Sequence, residues 1–574
     1  MNKNDIIKFC KDLGCCDACC LRYLGLKNPS AYENTKEFIL KLQDTAQINN
    51  GIKKEEIIEN SSDATETSNG SVGDDSSVPP AKRCKTEGVC VSCIGVLQEE
   101  TWPQCYDMVE EVLDKKNYEC KTFACALSAP ISSILRERAI TLRLSKQFKE
   151  YDAKALTPLK EAWKWSFGAR LALRLRRALD SGAVSPLLVT LNMDYEADLQ
   201  ELEILKRLSP SLFESRSKQR RRFAVEFTRR SVEQALDGVA LDAFGALAGS
   251  EWSHSVPAVS GRVKCVSVVC THAPLYLGGR YIKLSRELPQ SPWLVDGKRV
   301  MDSSVQETIF QPIADLYKLS AEEAEHRLKF MSAGREDVDV RCLGAGRPFA
   351  LEISDPRREL SAAELRAACD QISRGGAVLV HDLVHITRDD LVQLKKGEET
   401  KCKTYEALCI KLSHSRHDVT ATADSPILVT AQDIASINSY SNVVQPGDVD
   451  AGAAVPRVAL SQKTPVRVLH RRPLLTRTRH IYELSAKQVP GHPQLLLVRA
   501  VTEAGTYVKE WVHGEARRTR PALGAALGAR LDILALDVAE VHLSWPPQLA
   551  PAHTVPRSVA LPATDGATEE AMVT

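Results

Sequence analysis

Apolar positions fall into short blocks with two different periods, separated by stretches rich in Gly, Pro, Ser and Asp. Residues 106–115 repeat at the helical spacing, whereas residues 262–270 alternate and read as a strand. Thr157 followed by Pro158 predicts a helix start, with the threonine as cap and the proline in the first position. Ser361 likewise predicts a helix to about residue 373. Apolar runs at 186–191, 349–353, 377–380, 401–408 and 495–498 read as strands. The pattern over residues 97–248 is mixed α/β. Residues 415–456 are rich in Ser, Ala and Asp and read as loop.

Two further segments cannot bury enough apolar surface to order themselves. Residues 45–88 form a Ser-, Asp-, Asn- and Glu-rich flexible insertion, and residues 551–574 form an Ala/Pro/Thr-rich tail expected to be disordered. Residues 79–85 within the insertion are a weak nuclear-import candidate.

Composition constrains function less than position does. A chain of 574 residues predicts two to four domains, and 44% hydrophobic with 26% charged residues is ordinary for globular protein. The net charge of +1 excludes a strongly basic whole-chain signal for nucleic acid, so local patches matter more. No run reaches the roughly eighteen apolar residues of a membrane span, and the N-terminus lacks a signal-peptide core. A soluble intracellular protein is therefore expected, in nucleus and cytoplasm, with the mitochondrion left open. Nothing demands a dimer, so a monomer is expected.

In such a compartment 17 cysteines argue for metal ligands and buried thiols over disulfides. Residues 15–20 read Cys-Cys-Asp-Ala-Cys-Cys, and a second knuckle, Cys90-Val91-Ser92-Cys93, follows about seventy residues later. Two such knuckles can aim four thiolates at one zinc ion, and a closed four-thiolate site is structural. The ligand set read here is Cys16, Cys19, Cys90 and Cys93, with Cys15 and Cys20 as competitors.

Three basic clusters stand out, of which the first two suit phosphate contacts or, equally, exposed helix faces. They are Arg170 with Arg174, Arg176 and Arg177; residues 218–222 with Arg229 and Arg230; and the most basic segment, Lys463 to Pro473. The densest chemistry lies at Gly334-Arg335-Glu336-Asp337-Val338-Asp339-Val340-Arg341, a glycine-bracketed charged turn ahead of a strand. Such a turn can hold a carboxylate at the lip of a cleft, or can be a solvated turn with local ion pairs.

Three segments together resemble a known family. Gly334-Arg335-Glu336-Asp337 is similar to the Gly-Arg-x-Asp motif of pseudouridine synthases. Lys403-Thr404-Tyr405 is similar to their second motif and Gly505-Thr506-Tyr507-Val508-Lys509 to their third, in the same order along the chain. The N-terminal knuckles, the Gly278–Trp293 segment and Leu469-His470-Arg471-Arg472-Pro473 narrow the resemblance to the eukaryotic and archaeal Pus ten family of tRNA pseudouridine synthases.

That resemblance implies an α/β (α+β) architecture. A zinc-tied accessory domain over residues 1–255, with a THUMP-like RNA-binding module, would precede a catalytic domain over 256–550 built on a mixed, largely antiparallel sheet. It implies tRNA as substrate, modified in the T loop at uridine 54, 55 or both after base flipping. Catalytic roles fall on Asp337, on Tyr405 stacking the base, and on Lys509 as the cation pairing with Asp337. Lys509 departs from the arginine common in other synthases. Spacing alone leaves Asp339 as a rival to Asp337, and the motif favours Asp337. Arg335, Tyr507, Arg471 and Arg472 are the expected substrate contacts. Structural zinc is implied, and no catalytic cofactor is required, because the base is both leaving group and returning nucleophile. The competing class is a non-catalytic adaptor for structured RNA such as precursor microRNA. A zinc deaminase is excluded, since no His/Cys-x-Glu…Cys-x-x-Cys arrangement occurs.

Overall fold

The computed structural model describes residues 2–52, 88–180, 182, 185–219, 225–248, 252, 255–400, 402–442 and 456–547. The nuclear-import candidate, Arg220–Arg222, most of the insertion and the tail lie outside them. The chain divides into two compact units, Met1–Ala273 and Pro274–Thr574.

In the first unit, strands β1 (Thr122–Ser128), β2 (Ala178–Leu179), β3 (Leu187–Asp194) and β4 (Lys264–His272) form a four-stranded sheet in the order β2-β1-β3-β4. β1 is parallel to both neighbours, and β4 is antiparallel to β3. Helices Trp102–Lys116 and Ser132–Gln147 supply Val109, Leu135, Ala139 and Ile140 to one core with Phe123, Val189 and Leu191. The expected start at Thr157 differs in detail. The helix runs Leu159–Trp163, and the Thr157 hydroxyl donates instead to Leu26 O at 2.8 Å. A distant carbonyl outcompeted the local cap.

The second unit holds β5 (Leu275–Lys283), the small hairpin β6 (Leu294–Val295) and β7 (Lys298–Arg299), then β8 (Leu328–Ser332), β9 (Arg341–Ile353), β10 (Val378–Ile386) and β11 (Lys403–Lys411). There follow β12 (Val458–Lys463), β13 (Thr476–Val489), β14 (His492–Thr502), β15 (Thr519–Arg520) and β16 (Leu531–Val541). Ten strands make one sheet, β10-β5-β9-β16-β11-β14-β13-β12-β15, with β8 also on β9. All its pairings are antiparallel except β9 with β16, which touch in parallel only at Arg341 and Cys342.

That short parallel joint is where the sheet changes hands. Beyond it β9 bends away toward β5, at Gly344 (φ +60°), where a Cβ would come within 2.2 Å of Ala539 O. On one side of the joint, helices Val305–Tyr317 and Ala362–Ser373 bury Ile309, Ile313, Leu365 and Ile372 against Leu277, Leu351 and Val378. On the other, helix Val508–His513 places Trp511 and Val512 among Leu460, Val498 and Val538. Helix Ala362–Ser373 starts where expected: Ser361 and Glu364 form a capping box, with Leu365, Ala368 and Ile372 inward at helical spacing.

The 415–456 stretch is not all loop. Ala431–Ser439 is a helix capped by Thr430, and its Asp433 is fully buried against Lys411.

Candidate active site and metal centre

A cleft of about 220 Å³ opens on the second unit at the joint. It is built from the loop between β8 and β9, the start of β11, the loop between β12 and β13, and the turn between β14 and helix Val508–His513, with Arg347 of β9 and Leu536 and Val538 of β16 completing the lining. Asp337, Tyr405, Lys509, Arg335, Tyr507, Arg471 and Arg472 all line it. Up to 174 positions separate these residues in sequence (Arg335 to Lys509), and the sheet brings all seven together.

The β8–β9 loop is pinned from below. Gly334 adopts φ +90°, and a Cβ there would lie 2.8 Å from Lys403 Nζ and 3.0 Å from Arg347 Nη1. Glu336 turns inward, its side chain wholly buried, and pairs with buried Arg347 at 2.8 Å. It also accepts from the Tyr281 hydroxyl at 2.9 and 3.0 Å. Gln290 donates to Gly334 O at 3.0 Å, and Arg347 to Ala333 O at 2.8 Å. Buried Lys283 donates to the carbonyls of Asp337 and Val338, at 3.0 and 2.7 Å. Burial pulls its ammonium below the usual lysine range, against the neighbouring carboxylates. Asp337 therefore sits on a backbone fixed by buried donors. The solvated-turn alternative does not describe Glu336, although it does describe part of Asp339.

The cations divide unexpectedly. Lys509 Nζ lies 2.7 Å from both oxygens of Asp339 and 3.6 Å from Asp337 Oδ2. The closer cation on Asp337 is Arg467, with Nη1 at 2.8 Å from Oδ2. Arg467 also pairs through Nε with Glu510 at 2.7 Å. The Asp339 side chain is 60% exposed and lies outside the cleft lining. Burial raises its carboxyl pKa, but the Lys509 hydrogen bond and charge outweigh burial and hold it below the usual range.

Tyr405 lies on β11 opposite Ala500 and Val538. Burial pushes its phenol up to about 12, against the pull of the nearby Arg347. Gln462 clamps Tyr507 by its backbone, donating to Tyr507 O and accepting from Tyr507 N, both at 3.0 Å.

Arg335, Arg471 and Arg472 face the cleft without an ion-pair partner among the described residues. Burial and the neighbouring Arg471 pull the Arg335 guanidinium below its usual range. The first-unit arginines behave oppositely. Arg170 pairs with Glu99, and Arg174 pairs with Asp107 at 2.9 Å and Glu110 at 2.7 Å. Of Arg229 and Arg230, the first pairs with Glu233 at 2.8 Å. For Arg170, Arg174 and Arg229, the exposed-helix reading holds.

Sequence reasoning placed Arg467 in the most basic segment but not at the site, and it missed Glu336, Arg347, Lys283 and Gln290. No spacing rule distinguishes an inward arginine from its neighbours on one loop.

In the first unit, the Sγ atoms of Cys16, Cys19, Cys90 and Cys93 lie within 4.8 Å of one another, all buried, so they can hold a metal ion. Cys16 and Cys93 sulfurs are 3.8 Å apart. A tetrahedron with bonds of about 2.3 Å has edges of about 3.8 Å, so the donor set fits such an ion. Cys16 precedes helix Asp17–Tyr23, and its N–H donates to Cys90 Sγ at 3.2 Å. Arg22 reaches Cys19 Sγ at 3.7 Å and is itself held by Glu137. Such donors offset the charge of clustered thiolates. Cys15 and Cys20 lie outside this group of four.

Comparison with known proteins agrees with this architecture. The family model "Eukaryotic Pus10, N-terminal" matches residues 90–257, and "Pus10, C-terminal" matches residues 276–432 and 429–542. A Drosophila melanogaster protein is 31% identical over 554 residues, covering 95% of this chain and 98% of that one. The Xenopus laevis tRNA pseudouridine synthase Pus10 is 31% identical over 553 residues, covering 93% and 96%. The Thermofilum pendens protein of the same name is 33% identical over 271 residues, or 47% of this chain and 53% of its own. The mixed, antiparallel-rich sheet and these relationships define an isomerase of the pseudouridine synthase class. Within that class, the chain belongs to the Pus10 family.

Proposed function

We propose that this protein isomerises uridine to pseudouridine in the T loop of tRNA, at position 54, 55 or both, with Asp337 as the catalytic carboxylate. One observation carries the reading: Asp337 shares its cleft with Arg335, Arg471 and Arg472, three arginines without an ion-pair partner among the described residues. An arrangement that leaves cations unpaired beside a carboxylate suits a ligand that brings its own phosphates.

The reaction breaks the bond between N1 and the sugar, turns the base, and joins C5 to the same carbon, while C5 loses its proton and N1 gains one. A base inside folded RNA must first leave its stack. Arg335, Arg471 and Arg472 would hold the flanking phosphates, and Tyr405 would stack on the extruded uracil. The high phenol pKa keeps Tyr405 neutral at working pH, which suits stacking and a hydrogen bond and disfavours a phenolate base. Asp337 acts covalently or as base, at the sugar or at the ring. Asp339 serves Lys509 instead, since it is the more exposed and stands outside the cleft. In the first unit, the four cysteines would hold structural zinc, and the relatives' names support tRNA as the RNA bound.

The test is position-by-position pseudouridine mapping on an unmodified tRNA transcript. Asp337→Ala should lower conversion by on the order of 10³-fold or more. Asp339→Asn should cost less than about tenfold. Full turnover by Asp337→Ala would remove the assignment. Tight RNA binding with no conversion by wild type would make the protein an adaptor.

A further inference from the structure

The cation expected to accompany Asp337 is Lys509, and the geometry does not give it that task. Both carboxylate oxygens of Asp339 lie 2.7 Å from Lys509 Nζ, while Asp337 Oδ2 is 3.6 Å away. An ammonium is a point charge with rotatable donors, and here its close contacts go to Asp339.

Arg467 is placed quite differently. Its guanidinium is held at two points, Nη1 on Asp337 Oδ2 at 2.8 Å and Nε on Glu510 Oε1 at 2.7 Å, and its Cζ lies over the Tyr507 ring, 6.0 Å from the ring centre. The Glu510 side chain is 3% exposed, so that anchor cannot swing. A planar fork fixed at one edge presents its other edge in one orientation.

Arg467 belongs to the turn Val466–Val468, whose Val468 is buried and whose Val466 N–H is held by Glu515 at 2.8 Å. The backbone N–H groups of Arg471 and Arg472 close back onto Val468 O at 3.1 and 3.0 Å. The residue gripping Asp337 and two of the arginines facing the cleft thus ride on one hydrogen-bonded loop.

We infer that Arg467, a positioning residue on the loop between β12 and β13, orients the Asp337 carboxylate and so links RNA contact at Arg471 and Arg472 to the chemistry. The inference rests on Asp337 being the catalytic carboxylate. Lys509 instead fixes Asp339 at the rim.

Single-turnover conversion of the unmodified tRNA transcript at saturating protein, with binding measured in parallel, tests it. Arg467→Ala should slow the step by about 10²-fold with RNA affinity within about threefold. Arg467→Lys should recover part of that loss, and millimolar guanidinium ion should restore turnover to Arg467→Ala but not to Asp337→Ala. Lys509→Ala should cost less than Arg467→Ala. Arg471→Ala should weaken RNA binding and lower its salt dependence.

Because Arg467→Ala strands a buried carboxylate, the double variant Arg467→Ala/Glu510→Gln separates misfolding from lost positioning: its rate should stay low with unfolding restored to near wild type. The inference is overturned if Arg467→Ala turns over normally at saturation, if its whole effect is on binding, or if Lys509→Ala gives the larger loss of rate. Turnover by Asp337→Ala would instead overturn the catalytic assignment beneath it.

Discussion

Glu336 stands between two residues that face the cleft, yet its side chain sees no solvent. Its neighbours in sequence suggest a solvated charge run, and its partners, Arg347 and Tyr281, come from other strands. Breaking a buried pair by removing one partner strands the other charge and costs about 3–5 kcal/mol. Glu336→Ala should lose about that much in denaturant unfolding of the second unit, a far larger loss than from removing a rim charge such as Asp339. A second buried charge group predicts a pH dependence. Lys411, without solvent exposure, donates to Asp418 and Asp433, each at 2.7 Å. The Lys411 hydrogen bond draws the Asp418 carboxyl from 3.8 down to about 2. The folded value lies below the unfolded one, so this stabilisation is complete above 3.8 and is lost as pH falls through about 2. Urea unfolding over that window should show wild type losing stability more steeply than Asp418→Asn.

Elements differ in how far local chemistry decides them. Helix Ala362–Ser373 was legible because its cap, its box residue and its apolar spacing all lie within the segment. Helix Ala431–Ser439 was not read, although Thr430 and Asp433 form a local capping box: its Ser, Ala and Asp composition reads as loop, and the Asp433–Lys411 pair that buries it is long-range. The β8–β9 loop combines both cases. Gly334 is recognisable as a turn glycine, but the groups that forbid a side chain there, Lys403 and Arg347, are long-range. Gly334→Ala forces a strained backbone, about 1–3 kcal/mol, against a packed floor. It should lower turnover by about 10²-fold through displacement of Asp337 while far-UV dichroism stays unchanged. Near-normal turnover would mean the loop has slack.

At the scale of the molecule, the four-thiolate group and the cleft belong to different compact units. Removing a structural metal should therefore act on one unit. With a strong chelator, hydrogen exchange should accelerate in helix Asp17–Tyr23 and around Cys90–Cys93, since clustered unliganded thiols no longer tie these segments. The strands from β5 to β16 should keep their protection. Equal loss in both units, or in neither, would contradict a metal tie confined to the first. Cys90→Ser should reproduce the chelator's effect, whereas Cys20→Ser should not, because Cys20 lies outside the group.

By itself, the sequence determined what short-range chemistry can encode: the mixed α/β pattern, the capped helix at Ser361, the paired knuckles, and the three motif segments whose residue types suit one reaction. The seven residues expected at the site line one cleft, and the four expected thiols form one group. Only the tertiary structure decided which charges meet. Pairing among Asp337, Asp339, Lys509 and Arg467 depends on differences of about an ångström, set by loops whose ends are fixed by strands far apart in the chain. Burial decided the rest. The same arginine is an exposed ion pair at Arg174, a buried brace at Arg347 and an unpaired cation at Arg471, and desolvation is a property of the packed molecule that no local spacing carries.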